Sequence, residues 1–160
     1  MALRDDDAVL FVCLGNICRS PLAEAAFRSV IGEYGIAPQI DSAGTGSWHV
    51  GHPPDPRAQA VARRNGIEIG HYRARRIGPE DFARFRHIVV MDHANLDTVR
   101  QARPSGARAA VSLLLDHVPG RVGEAVADPY FGDDEGFDLT WRDVHDGAHA
   151  LARRLAVGEI

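Results

Sequence analysis

Two thiols, a guanidinium and a hydroxyl are gathered in one short run, Cys13-Leu14-Gly15-Asn16-Ile17-Cys18-Arg19-Ser20. Only a thiolate is a good nucleophile, and inward-pointing backbone N–H groups, a helix N-terminus and an arginine all stabilise negative charge on such a sulfur. Gly15 lets the backbone curl so that those N–H groups turn toward an anion. Arg19 adds a planar fork that matches two oxygens of a phosphate or carboxylate. The Ser20 hydroxyl can give its hydrogen to the Cys13 sulfur while its oxygen caps the helix opening at Ser20-Pro21. Together these residues describe an anion cradle with a nucleophile at its base, a site for a phosphate ester. Each of them alone is ordinary, since a cysteine ending a buried strand is usually a small hydrophobe. Their coincidence at fixed offsets carries the signal.

Such a cradle needs a strand before it and a helix after it. Ala8-Val9-Leu10-Phe11-Val12 supplies the strand, and apolar runs alternate with amphipathic stretches along the rest of the chain, the pattern of an α/β protein with a parallel sheet. Strands are expected at 9–13, 39–42, 87–91 and 109–113, and helices at 21–34, 56–65, 79–84, 96–102 and 139–157. In the last helix Phe137, Trp141, Val144, Ala148, Leu151 and Leu155 form one apolar stripe that reads as core, with Gly158 as its stop. Ligands of open parallel sheets bind beyond the carboxyl ends of the strands, where Cys13 falls.

The sequence has 160 residues, 45% of them apolar and 25% charged, which fits a single domain over residues 1–160 with its own core. Its only two cysteines both lie in the cradle, so a disulfide scaffold is excluded and a reducing cytoplasm expected. Met1 to Asp7 is polar and acidic, unlike a signal peptide, and no run approaches the ~18 apolar residues of a membrane span. A net charge of −4 argues against generic nucleic-acid binding. Every basic residue is arginine, and they are scattered. His145 and His149 have a spacing that can bind metal, but no third ligand is evident, and no metal is expected.

The chain resembles the low-molecular-weight protein tyrosine phosphatases, whose signature is V-C-x-G-N-x-C-R-S-P near the N-terminus. Asp41-Ser42-Ala43-Gly44-Thr45 is similar to that family's second strand and turn, and Pro54-Asp55-Pro56-Arg57-Ala58 to the start of its next helix. Trp48 stands where the family places an aromatic wall of the cleft. Asp128-Pro129-Tyr130 is similar to the D-P-[YF] loop that carries the general acid. The resemblance implies an open four-stranded parallel sheet with helices on both faces and the phosphate-binding loop between the first strand and first helix.

It also implies a division of labour. Cys13 attacks phosphorus and forms a phosphocysteine intermediate, while Arg19 and the N–H groups of Leu14, Gly15, Asn16, Ile17 and Cys18 hold the equatorial oxygens. Asn16 takes a left-handed backbone and props the loop open. Asp128 protonates the leaving oxygen and later activates water, giving a bell-shaped pH profile. Trp48 and Tyr130 sandwich the aryl group. The expected substrate is a phosphotyrosine protein, or a small aryl phosphate, with a tyrosine kinase as counterpart, no cofactor, and a monomeric enzyme.

Several points stay open. Cys18 is either a reversible disulfide partner for Cys13 or a packed thiol. The histidine that braces the loop in the family falls on His71 or, one residue along, on Tyr72. Phe131 stands where many relatives have a second tyrosine. Phosphoarginine phosphatases of this scaffold carry threonine where this chain has Ile17, and the apolar residue favours phosphotyrosine. Arsenate reductases need further cysteines, which this chain lacks. A non-catalytic phosphate-binding module would lack the nucleophile or the acid.

Overall fold

The computed structural model describes residues 7–160; the acidic N-terminal stretch, up to residue 6, lies outside them. Four strands, Val9–Cys13 (β1), Ile40–Gly44 (β2), His87–Val90 (β3) and Ala110–Leu113 (β4), pair in parallel in the order β2-β1-β3-β4. Five helices accompany them: Arg19–Val30 (α1), Pro56–Arg64 (α2), Asp81–Arg84 (α3), His93–Ala102 (α4) and Asp134–Ala156 (α5).

Strand β1 is apolar throughout because it is covered on both faces. Its side chains alternate, Val9, Phe11 and Cys13 packing with α1, α2 and α5, and Leu10 and Val12 with α3 and α4. The six-residue stripe of α5 is buried as its spacing requires, and Gly158, at φ 74°, ends the helix in the left-handed region. Chain connections leave β1 toward β2 on one side and reach β3 on the other, so the carboxyl end of β1 is a switch point for ligands.

The departures from expectation lie at element ends, and three of them shape the site. Strand β2 runs on to Gly44 because Ala43 and Gly44 pair with Val12 and Cys13, which lays the following turn against the cradle. Helix α1 opens at Arg19, not at Ser20-Pro21, and gives way to a 3₁₀ turn, Ile31–Tyr34, before Gly35 stops it at φ 68°. Helix α4 opens at His93, where Asp92 accepts from the Asn95 N–H and the Asn95 side chain accepts from the Asp92 N–H. Helix α5 also starts early, at Asp134, with Asp133 as its cap and two further acids in its first turn. The smaller shifts are of one or two residues.

Candidate active site

Cys13 is the last residue of β1, and the loop after it is fastened from behind. The Cys13 and Leu14 carbonyls accept from the N–H groups of Thr45 and Gly46, each at 2.9 Å. That contact requires glycine at position 44, where a Cβ would stand 2.8 Å from the Leu14 carbonyl oxygen. Among the described residues Asn16 alone combines a side chain with positive φ, at 57°. The left-handed residue of the loop is therefore Asn16, while Gly15 leaves room for the His49 ring, 3.0 Å from where its Cβ would be.

Asn16 is also the hub of the bracing. Its Nδ2 donates to Ser20 Oγ at 2.7 Å and to Ser42 Oγ at 3.0 Å, while its Oδ1 accepts from the Arg75 N–H at 3.0 Å. Its backbone N–H points at the Cys13 sulfur, 3.3 Å away. Ser20 Oγ lies 3.1 Å from that sulfur and accepts from Asn16, so its own hydrogen can go to the sulfur or to the Ala43 carbonyl at 3.4 Å. Ser20 does not cap α1 as expected: the cap position belongs to Cys18, and no side chain bonds there. Behind Asn16, Ser42 Oγ donates to Glu24 at 2.8 Å, and Arg28 Nε donates to the other Glu24 oxygen at 2.9 Å. Burial raises the Glu24 pKa above the usual carboxylate range, against the pull of those two bonds. The brace expected of His71 or Tyr72 is therefore supplied by Ser42 and the Arg75 N–H. Tyr72 stands beside Glu24 and Arg28, its phenol pushed up to about 12 by burial, and the exposed His71 stacks edge-on against it.

Arg19 is 2% exposed. Its Nη1 donates to Asp92 at 2.6 Å and to the Val126 carbonyl at 3.0 Å, and its Nη2 faces Asp128 at 3.5 Å. Burial works against the guanidinium charge, but Cys13, Asp92 and Asp128 outweigh it and raise its pKa. Asp92 thus serves twice, as cap of α4 and as the anchor that aims the fork. The sequence signal for it was present as Asp-x-x-Asn after a strand.

A cavity of about 210 Å³ opens above the cradle. Cys13, Leu14, Gly15, Ile17, Cys18, Arg19, Trp48, Asp128 and Tyr130 all line it, joined by Phe131 and by His49, which the sequence did not single out. Asn16 and Ser20 lie behind the lining, so their part is support. Trp48, 68% exposed, leans over Gly46, where a Cβ would fall 1.9 Å from its ring. Cys13 and Cys18 are both free, and burial, then the Asp55 charge, pushes the Cys18 thiol up, as suits a packed thiol. Across the cavity Asp128 accepts from the Tyr130 N–H at 3.0 Å. Far from this site, the His145 and His149 rings lie 4.7 Å apart, with His149 Nδ1 hydrogen-bonded to Tyr34. Among the described residues no three His, Cys, Asp or Glu side chains gather as metal ligands.

Residues 8–158 match the family described as low molecular weight phosphotyrosine protein phosphatase. A protein of that description from Schizosaccharomyces pombe is 47% identical over 151 residues, 92% of this chain and 96% of its own. Among solved structures, a protein tyrosine phosphatase of Entamoeba histolytica with Hepes in its active site superposes with a TM-score of 0.89 at 32% identity, covering 96% of this chain and 99% of that one. A Drosophila arginine phosphatase superposes at 0.85 and 29% identity, covering 92% and 96%.

Proposed function

The chain belongs to the low-molecular-weight phosphotyrosine protein phosphatase family, and on that premise we propose how its own residues carry the reaction. It is a cysteine-dependent protein tyrosine phosphatase. Cys13 Sγ attacks the phosphorus of a phosphotyrosine ester, the bond from phosphorus to the phenolic oxygen breaks, and Asp128 gives that oxygen its proton. The product of this half is a phosphocysteine on Cys13. Asp128, now a carboxylate, takes a proton from water as the water oxygen attacks the same phosphorus. The S–P bond breaks, inorganic phosphate leaves, and the thiolate returns, stabilised by the Ser20 hydroxyl and the Asn16 N–H.

Throughout, Arg19 faces the charge on the equatorial oxygens from a fixed position, the condition under which electrostatic stabilisation is largest. The observation that carries this reading is the convergence on one cavity of Cys13, with Ser20 Oγ at 3.1 Å, and the Arg19–Asp128 pair at 3.5 Å. Trp48 and Tyr130 at the mouth serve as the aryl walls.

The structural likeness to an arginine phosphatase gives a second reading, phosphoarginine hydrolysis. Ile17 stands against it, since it presents an apolar side chain to the cavity where a guanidinium would need a polar partner. The substrate protein must be supplied by a tyrosine kinase. A site complete within one chain supports a monomer, and two free thiols support a reducing cytoplasm. No helix among the described residues is long and apolar enough to cross a membrane.

Turnover of matched phosphotyrosine and phosphoarginine peptides, with a chelator present and Cys13→Ser as control, tests the reading. Phosphotyrosine should be preferred by at least about tenfold, a difference of roughly 1.4 kcal/mol in transition-state binding. Equal rates, or turnover that survives in Cys13→Ser, would overturn it.

A further inference from the structure

Arg57, at the start of α2, bridges the two halves of the site without lining the cavity. Its Nη2 donates to the Tyr130 carbonyl at 2.9 Å and its Nη1 to the Gly132 carbonyl at 3.1 Å. Its other edge is gripped by Asp55, which accepts from Nε and Nη2 at 3.0 Å each. Asp55 in turn belongs to the cradle, because its own N–H donates to the Ile17 carbonyl at 2.9 Å. Burial alone would raise the Asp55 pKa, but the Arg57 fork and N–H hold it below the usual carboxylate range, so the pair stays ionised. The guanidinium also lies 4.6 Å from the Phe137 ring centroid and 5.8 Å from that of Tyr130.

The other anchors of the loop it grips lie on its entry side: Thr140 Oγ1 donates to the Ala127 carbonyl at 3.4 Å, Arg19 faces Asp128 at 3.5 Å, and Pro129 is buried. Beyond Pro129, Phe131 is 94% exposed and Gly132 is exposed, so apolar burial contributes little there. The Asp128–Tyr130 and Pro129–Gly132 hydrogen bonds are internal to the loop and cannot fix its distance from Cys13. We propose that Arg57 is a positioning residue for catalysis: by clamping the Tyr130 and Gly132 carbonyls to the Asp55–Ile17 side of the cradle, it sets where the Asp128 carboxyl meets the leaving oxygen. This rests on the assignment of Asp128 as general acid. Lysine cannot replace arginine here, because a single ammonium cannot reach two carbonyls and both Asp55 oxygens with planar geometry.

The test compares Arg57→Gln and Arg57→Lys on two aryl phosphates, one with a strongly basic leaving group (phenyl phosphate) and one with a weakly basic one (p-nitrophenyl phosphate). Inhibition by inorganic phosphate reads whether the cradle itself is intact. On phenyl phosphate, kcat/KM should fall about 10- to 100-fold in both variants, the cost of displacing a catalytic group by roughly an ångström. The loss on p-nitrophenyl phosphate should be clearly smaller, and phosphate inhibition should stay within about twofold. In an Asp128→Asn background, Arg57→Gln should cost less than about twofold more, because both changes remove the same acid.

Equal losses on the two esters, weakened phosphate inhibition, or a full additional loss on top of Asp128→Asn would overturn the proposal. If Asp128→Asn itself shows no dependence on the leaving group, the acid assignment falls, and the role of Arg57 with it. A normal Asp128→Asn result with Arg57 variants that match wild type would sink the Arg57 role alone.

Discussion

Asn16, behind the cradle, and Phe131, on the facing wall, serve the same cavity, yet one is 3% exposed and the other 94%. The loop around Asn16 is tied to β2, to Ser20 and to the Arg75 N–H by a closed set of hydrogen bonds. The loop from Asp128 to Gly132 is tied to the rest of the molecule by the buried Pro129 and by two arginines, Arg19 at one end and Arg57 at the other. The difference follows from what each must meet. A phosphoryl group has one shape and its charge develops in one place, so donors fixed in advance gain most. A leaving group arrives attached to a protein chain, so the wall that supplies its proton has to stay open to solvent. Sparse anchoring is the physical signature of segments that move in function.

The comparison can be broken in order of expected effect. Cys13→Ser removes the nucleophile and should lower p-nitrophenyl phosphate turnover by at least about 10⁴-fold, with far-ultraviolet circular dichroism unchanged. A residual rate within a hundredfold of wild type would place the nucleophile elsewhere. Next comes Asp128→Asn, expected to cost about 10²–10⁴-fold on phenyl phosphate while phosphate inhibition persists. Parallel loss of phosphate binding would mean that the open wall also builds the cradle.

Asn16 separates backbone from brace. Asn16→Ala loses both the left-handed preference and buried hydrogen bonds, and should destabilise by about 2–4 kcal/mol in chemical unfolding. Asn16→Gly restores the backbone freedom and should recover about 1 kcal/mol of that, yet still bind phosphate weakly. Equal stability of the two variants would show that the positive φ of Asn16 carries no cost.

The smallest expected effect on turnover, and a purely structural one, concerns His117, in the 3₁₀ turn after β4. Its Nδ1 accepts from Arg154, so its Nε2 carries the hydrogen donated to Ser112 at 2.9 Å. Burial, then the Arg154 charge and the nearby His87, lowers its pKa to about 4, with Asp116 pulling the other way. Because the folded pKa lies below the ordinary 6.5, the unfolded chain takes up a proton first as pH falls. Stability should therefore be full above about pH 6.5 and decline by about 3 kcal/mol toward pH 4. Denaturant midpoints across that range should fall less steeply for His117→Gln, while phosphate binding at neutral pH stays the same. An unchanged slope would remove His117 from the account.

The better-fastened wall was also the more legible one. Cys13, Arg19 and their strand stand in one contiguous run; apolar runs between amphipathic stretches mark the sheet, and apolar residues four and three apart mark the α5 stripe. What escaped was long-range: Asp92 meets Arg19 across 73 positions, and Arg57 meets Tyr130 across an equal span, pairings that no local spacing encodes. Ser20 misled for a related reason. Its type and its neighbour Pro21 fit a helix cap, but Asn16 and Cys13 compete for the same hydroxyl and take it into the site. Tyr72 is the converse, a position where the family pattern suggested a brace and the bonds of Asn16 were already filled by Ser42 and Arg75.

The covalent step can be read directly by quenching the wild-type protein during turnover of a radiolabelled phosphotyrosine peptide and mapping the label at neutral pH. Label on the peptide that contains both cysteines, kept in Cys18→Ser and lost in Cys13→Ser, is the expected result. Label on another residue, or full-rate turnover in which no phosphorylated protein forms, would contradict a phosphocysteine on Cys13.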